Sequence, residues 1–262
     1  MKLLSINSDA KTIKNNKYGY LTGIQYLSPY KKSGVNLCPM AEKAQCHKPC
    51  LDESGMGKFE SVQNARLNRT KLYLTNPAEY FNQLVTEIIA LQNKAGKIGL
   101  KPLIRLNGTS DIRWENIGFH LKYDIAKKLQ YKAPLKGIYF RNIFEAFPNI
   151  QFMDYTKIPN RLTSMNGISE FPKNYDLTFS YSGAKGFEKY NQRALDQGMR
   201  IAAVFDKLES IPVTFQGRKV LSGDDNDLTF TKPKDSILGL YAKGTKKLIQ
   251  MGIDSQFIIK GV

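Results

Sequence analysis

The sequence predicts an α/β fold, a partial or distorted (β/α) barrel with a cysteine loop after its first strand, and three observations carry that expectation. Short apolar, β-branched or aromatic runs recur along the chain, and helical patterns often follow them, which is the signature of βα units. All three cysteines of the 262-residue chain fall between Cys38 and Cys50, directly after the first such run. Several runs end in hydroxyl-bearing, amide or acidic residues, which a parallel sheet or barrel gathers on one rim.

The elements follow in order. Residues 19–27 (GYLTGIQYL) read as the opening strand, and the cysteine loop comes next. Asn76 caps a helix with Pro77 at its first position and Glu79 in its first turn. Phe81, Leu84, Val85, Ile88 and Leu91 give that helix an apolar stripe at helical spacing. Residues 102–106 (PLIRL) form a short buried strand ending in Asn107-Gly108-Thr109-Ser110-Asp111. Residues 139–146 are expected as helix, 150–156 (IQFMDYT) and 177–182 (LTFSYS) as strands, 186–198 as helix and 201–206 (IAAVFD) as strand. Residues 213–215 and 219–221 flank Gly217 as a hairpin; 237–240 is a further apolar run, and 257–259 is expected as a last strand. With no repeat, low-complexity tract or long linker, residues 1–262 are expected to form a single α/β domain.

Composition narrows the class. With 42% hydrophobic and 11% aromatic residues the chain is not a disordered tail. No run of 18 apolar residues exists to span a bilayer. The N-terminal residues lack the pattern of a signal peptide, so a cytoplasmic setting is expected. There are 39 Lys+Arg against 23 Asp+Glu, a net charge of +16. A surface of that sign attracts polyanions, and a nucleic acid or nucleotide is the expected partner. Lys14, Lys17, Lys31, Lys32, Lys127, Lys128, Lys132 and Lys136 are candidate phosphate contacts, with Tyr18, Tyr20, Tyr30 and Tyr131 interleaved for stacking. The same excess also fits a Lys-rich solvated surface. No P-loop, Gly-x-Ser-x-Gly elbow or dinucleotide glycine fingerprint is present.

The cysteines are the sharpest signal. They lie in a Cys-x7-Cys-x3-Cys spacing inside residues 36–52, where Pro39 and Pro49 interrupt helix. An odd count argues against a disulfide framework. Three thiolates on one loop, Cys38, Cys46 and Cys50, suit a [4Fe–4S] cluster with one iron left open. With His47 they alternatively make a Cys3His zinc site. Asn107, Thr109, Ser110, Asp111, Tyr155, Lys157, Ser180, Ser182 and Asp206 stand at strand ends and are expected on the rim the cluster shares. The run Asp224-Asp225-Asn226-Asp227 offers oxygen ligands for a divalent cation but is also the composition of a surface turn, the reading preferred; Trp114 and His120 read as packing residues.

Strand, cysteine loop, helix and then βα units is also the order in radical S-adenosylmethionine enzymes, which the chain distantly resembles. Those enzymes carry Cys-x3-Cys-x2-Cys in place of the spacing found here. The resemblance implies that Asn107, Thr109, Ser110 and Asp111 bind polar groups of S-adenosylmethionine, with Tyr155, Lys157 and Ser180 further round the rim. A second resemblance is more specific. It rests on Asn36-Leu37-Cys38-Pro39 with Cys46 and Cys50, on residues 104–111 (IRLNGTSD), on residues 152–157 (FMDYTK), on residues 178–183 (TFSYSG) and on residues 224–227 (DDND). These look like the phage "gene product eighty-eight" domain family, which implies a phage protein acting in the host cytoplasm. Two functions are therefore expected: a radical S-adenosylmethionine-like iron–sulfur enzyme modifying a nucleic acid or nucleotide, or a non-enzymatic iron–sulfur or zinc protein binding nucleic acid or a host partner.

Overall fold

A computed structural model describes residues 1–7, 10–47, 57, 59–129, 137–162 and 171–261. In chain order they form β1 (Leu4–Ile6), α1 (Ala10–Asn16), β2 (Tyr20–Gln25), α2 (Glu60–Thr75), α3 (Pro77–Lys97), β3 (Lys101–Arg105), β4 (Phe119–Leu121), α4 (Tyr123–Lys128), β5 (Ile138–Phe140), α5 (Ile143–Ala146), β6 (Gln151–Thr156), β7 (Tyr175–Ser180), α6 (Glu188–Asp196), β8 (Arg200–Phe205), β9 (Thr214–Phe215), β10 (Arg218–Ser222), β11 (Ile237–Tyr241) and α7 (Lys246–Asp254).

Nine strands make one mostly parallel sheet in the order β1-β2-β3-β6-β7-β8-β11-β10-β9, and β4 and β5 pair separately. The sheet is open, with β1 at one edge and β9 at the other, each antiparallel to its neighbour. Between them, β2, β3, β6, β7, β8, β11 and β10 run parallel, and the first six of these follow one another in chain order. A doubly wound sheet reverses its order at a switch point. Here the order never reverses within those six strands.

Strand alternation divides the sheet into two faces. On one, Leu21, Ile104, Phe152, Leu177, Phe179, Ile201, Ala203 and Phe205 join a core with Phe81, Leu84, Val85 and Ile88 of α3 and Ala194 of α6. Each large apolar side chain buried there contributes about 1.5–3 kcal/mol. The start of α3 follows the expected chemistry: Asn76 Oδ1 accepts from the Glu79 amide at 3.1 Å and Pro77 opens the helix.

The opposite face is floored by the segment between β10 and β11. Leu228 packs on Leu103 and Met153. Asp227 pairs with Arg105 of β3, Thr229 Oγ1 contacts Asp176 of β7, and the carbonyls of Lys232 and Pro233 accept from Arg200 of β8. Arg200 also pairs with Asp176 at 2.6 Å. One polar stretch thus crosses the face from β3 to β8, meeting Arg105 with a carboxylate and Arg200 with carbonyls.

Three expectations change. Residues 139–146 are not one helix: Ile138–Phe140 pairs antiparallel with Phe119–Leu121, and only Ile143–Ala146 is helical, capped by the Asn142 side chain. Residues 257–259 make a single bridge, Phe205 to Ile259, rather than a strand. Asp227 does not belong to a surface turn; it is 2% exposed because Arg105 and Tyr155 hold it. Elements that the sequence did not announce include β1, α1, α2, β4, α4 and α7. The expected hairpin is present as β9 and β10, turning through Gln216 and Gly217, both with positive φ.

Candidate functional site

A cavity of about 320 Å³ opens at the carboxyl ends of the parallel strands, a size that suits a small-molecule ligand. Arg105 and Asn107 reach it from β3, Tyr155 and Lys157 from β6, Ser180 from β7, Ala202 and Val204 from β8, and Leu240 from β11. Cys38, Met40, Ala41 and Cys46 line it from the segment after β2, the first strand of the parallel run. Seven of the nine rim residues expected from sequence, Asn107, Thr109, Ser110, Asp111, Tyr155, Lys157 and Ser180, line this one cavity.

The cysteine segment is held in place by the strand-end loops. The Asp111 amide donates to the Leu37 carbonyl at 2.8 Å, Thr109 Oγ1 to the Leu27 carbonyl at 2.5 Å, and Ser182 Oγ to the Ala44 carbonyl at 2.7 Å. Residues 38–46 are wound into tight turns, with the Ala41 amide on the Cys38 carbonyl and the Cys46 amide on the Ala41 carbonyl. Both thiols are buried. The Cys38 thiol lies 3.6 Å from the Thr109 carbonyl and the Cys46 thiol 3.8 Å from the Ala41 carbonyl. Cys50, like Lys132, Lys136 and Tyr131, lies outside the described residues. Among the described residues no group of three or more His, Cys, Asp or Glu converges as a metal site.

Several rim side chains are committed to holding the loop. Asn107 Oδ1 accepts from Ser110 Oγ, the Ile112 amide and Trp114 Nε1 at 2.9–3.1 Å, and its Nδ2 donates to the Ile112 carbonyl. Asp111 accepts from Thr156 Oγ1 and the Lys157 amide, both at 2.8 Å, and pairs with Arg161 at 2.9 Å. Burial raises the Asp111 carboxyl above its usual range and Arg161 offsets part of that. Arg161 also grips Glu115 at 2.6 Å. Behind them Asp154 accepts from the Asn107 amide and from Tyr175 Oη, both at 2.9 Å. Burial pushes the Asp154 carboxyl up to about 7, against the pull of Arg105 and of the Asn107 amide.

Other groups face the cavity. Tyr155 Oη donates to Asp227 Oδ1 at 3.1 Å, and its ring lies 5.2 Å from the Arg105 guanidinium. Burial works against the Arg105 charge, but Asp227 and Tyr155 hold the guanidinium well above its ordinary range. Arg105 Nε has no hydrogen-bond partner. Lys157 Nζ donates to the Ser180 and Tyr181 carbonyls at 2.8 Å and lies 4.7 Å from the Phe257 ring centre. Ser180 Oγ makes no hydrogen bond among the described residues. Sequence reasoning missed Arg105, Asp227 and Phe257. A single cation inside the apolar run Leu103-Ile104-Arg105-Leu106 was the available signal, because strand alternation sends it to the face away from Ile104 and Leu106. Two expected rim residues stand apart: Asp206 accepts from the Lys207 and Gly261 amides, and Ser182 anchors the cysteine segment.

A family model described as Gene product 88 matches residues 2–261. The chain belongs to the Gene product 88 family. That is the phage family to which the motifs of residues 36–50, 104–111 and 152–157 point. In this Gene product 88 chain those motifs are the cysteine segment, the loop stitched by Asn107 and Asp111, and the strand that carries Tyr155 and Lys157. No curated protein and no solved structure matches the chain. Among the described residues no helix is long and apolar enough to cross a membrane.

Proposed function

We propose that this Gene product 88 protein binds a [4Fe–4S] cluster through Cys38, Cys46 and Cys50, takes S-adenosylmethionine in the adjoining cavity, and modifies a nucleic acid or nucleotide in the host cytoplasm. One observation carries the reading. Cys38 and Cys46 share a single cavity with seven strand-end polar residues, at the carboxyl ends of parallel strands that follow chain order.

The donor set fits. The two described thiols are buried and lie on a segment pinned at three points, so they would meet a metal with little further ordering. When bound, such a cluster supplies the electron that opens S-adenosylmethionine to radical chemistry. The chain's own residues position the ligand. Arg105 offers a charged donor, Ser180 a hydroxyl, and Ala202, Val204, Leu240 and Phe257 an apolar wall that excludes water.

Anaerobic reconstitution tests this. The reading expects about four iron and four sulfide per chain, and 5′-deoxyadenosine on reduction with S-adenosylmethionine. Product no greater than that of Cys46→Ala would remove the radical reading. A second reading, a Cys3His zinc site, is favoured by His47, whose Nδ1 is buried without a hydrogen-bond partner. Zinc in place of iron and sulfide in anaerobically purified protein would select it, and the protein would then be a metal-stabilised binding module.

A further inference from the structure

A second cavity, of about 200 Å³, lies between the start of the segment after β2 and the first half of α2. Ser28, Lys32, Gln63, Asn64 and Arg66 line it. Arg66 is the unusual member. It is only 9% exposed, yet its Nε is buried with no hydrogen-bond partner, and among the described residues no carboxylate pairs with it. The Tyr26 ring lies 5.4 Å from its guanidinium carbon. Arg69, one turn further on, adds like charge: burial lowers the Arg66 pKa first, Tyr26 raises it and Arg69 lowers it again.

A guanidinium removed from water without a counter-charge is unfavourable unless an anion completes the site. Among the described residues the cavity walls carry Arg66 and Lys32 and no carboxylate, with hydroxyl and amide side chains beside them. A planar guanidinium fork with an ammonium nearby matches the tetrahedral oxygens of phosphate. We infer that this cavity binds a phosphate group, held by Arg66 and Lys32 and flanked by Ser28, Gln63 and Asn64. The site stands apart from the cysteine cavity and does not require a cluster there.

Thermal unfolding of the full chain in inorganic phosphate, against chloride at equal ionic strength, tests the site. Phosphate should raise the midpoint of the wild-type protein by mass action. Arg66→Met should be no less stable than wild type in chloride, because it removes an uncompensated buried charge. It should also weaken the phosphate response by about tenfold or more in apparent affinity, the scale of one lost charge-assisted hydrogen bond. Lys32→Ala, at an exposed position, should weaken the response more mildly, and it decides the matter if Arg66→Met does not fold. No phosphate-specific shift in wild type, or an equal shift in the variants, overturns the inference. Adenosine monophosphate and a short single-stranded oligonucleotide form two further arms. A response to the oligonucleotide that is stronger and falls steeply with salt names a polynucleotide backbone as the source. Equal responses name a free phosphate. Either result upholds the site.

Discussion

The hydroxyl of Tyr155 donates to Asp227 Oδ1 at 3.1 Å while the other carboxylate oxygen of Asp227 meets Arg105, so β3, β6 and the segment before β11 meet at one buried carboxylate. The Arg105 and Asp227 side chains are 14% and 3% exposed. Removing one partner strands the other charge. Asp227→Ala should lower stability by about 3–5 kcal/mol, read by urea unfolding. The double variant Arg105→Met, Asp227→Leu should recover most of that loss. A single variant as stable as wild type would contradict the pair's role.

Asn107 separates a loop-building residue from a ligand-binding one. Its Oδ1 satisfies three donors, including the only tryptophan of the chain. Asn107→Ala should destabilise by roughly 2–4 kcal/mol, since each buried donor left alone costs about 1–3 kcal/mol. Trp114 is 0% exposed, so its emission should shift to longer wavelength as the loop loosens. Unchanged stability and emission would mean that the amide serves a ligand instead.

Asp154 gives a pH signature. Its carboxyl titrates near 7 in the folded protein and near 4 when unfolded. The folded state therefore holds an extra proton between those values. Stability from this group is full below about pH 4 and is lost as the pH rises through 7. Asp154→Asn should flatten the slope of stability against pH in that window. A wild-type slope of the opposite sign in which Asp154→Asn changes nothing would rule the assignment out.

Gly108 leaves no room for a methyl group. A Cβ there would lie 2.6 Å from the Gln25 carbonyl and from Ile24 Cγ2, and 2.8 Å from Tyr26 Cδ1. Gly108→Ala should cost about 1–3 kcal/mol, as overpacking does. The mouth of the cavity should distort with it, so any ligand found for the wild-type cavity should bind this variant more weakly in calorimetry.

What the sequence made legible, and what it hid, follows from range. The stripe Phe81, Leu84, Val85, Ile88 and Leu91 announces α3 because every residue of the signal lies within three turns. Helix α2 has no such stripe: Arg66 and Thr70 are its buried residues, so periodicity says nothing. The strand ends were legible as a rim because residue type changes sharply there, at Leu106-Asn107 and at Thr156-Lys157. Their division of labour was not, since Asn107 and Asp111 face partners that only the folded loop supplies. Asp227 was hidden most thoroughly. The residues that precede it are polar, and the cation that buries it stands 122 residues upstream.

The floor laid by residues 227–233 also fixes an order of events. Cys38 and Cys46 emerge early in synthesis, but the cavity they line also needs Asp227, Leu240 and Phe257, and its last parallel strand begins at Ile237. Domains complete their long-range contacts late. The cavity therefore comes into being only when nearly all of the chain is available, and the two thiols meet their opposite wall at the end of folding, not at its start.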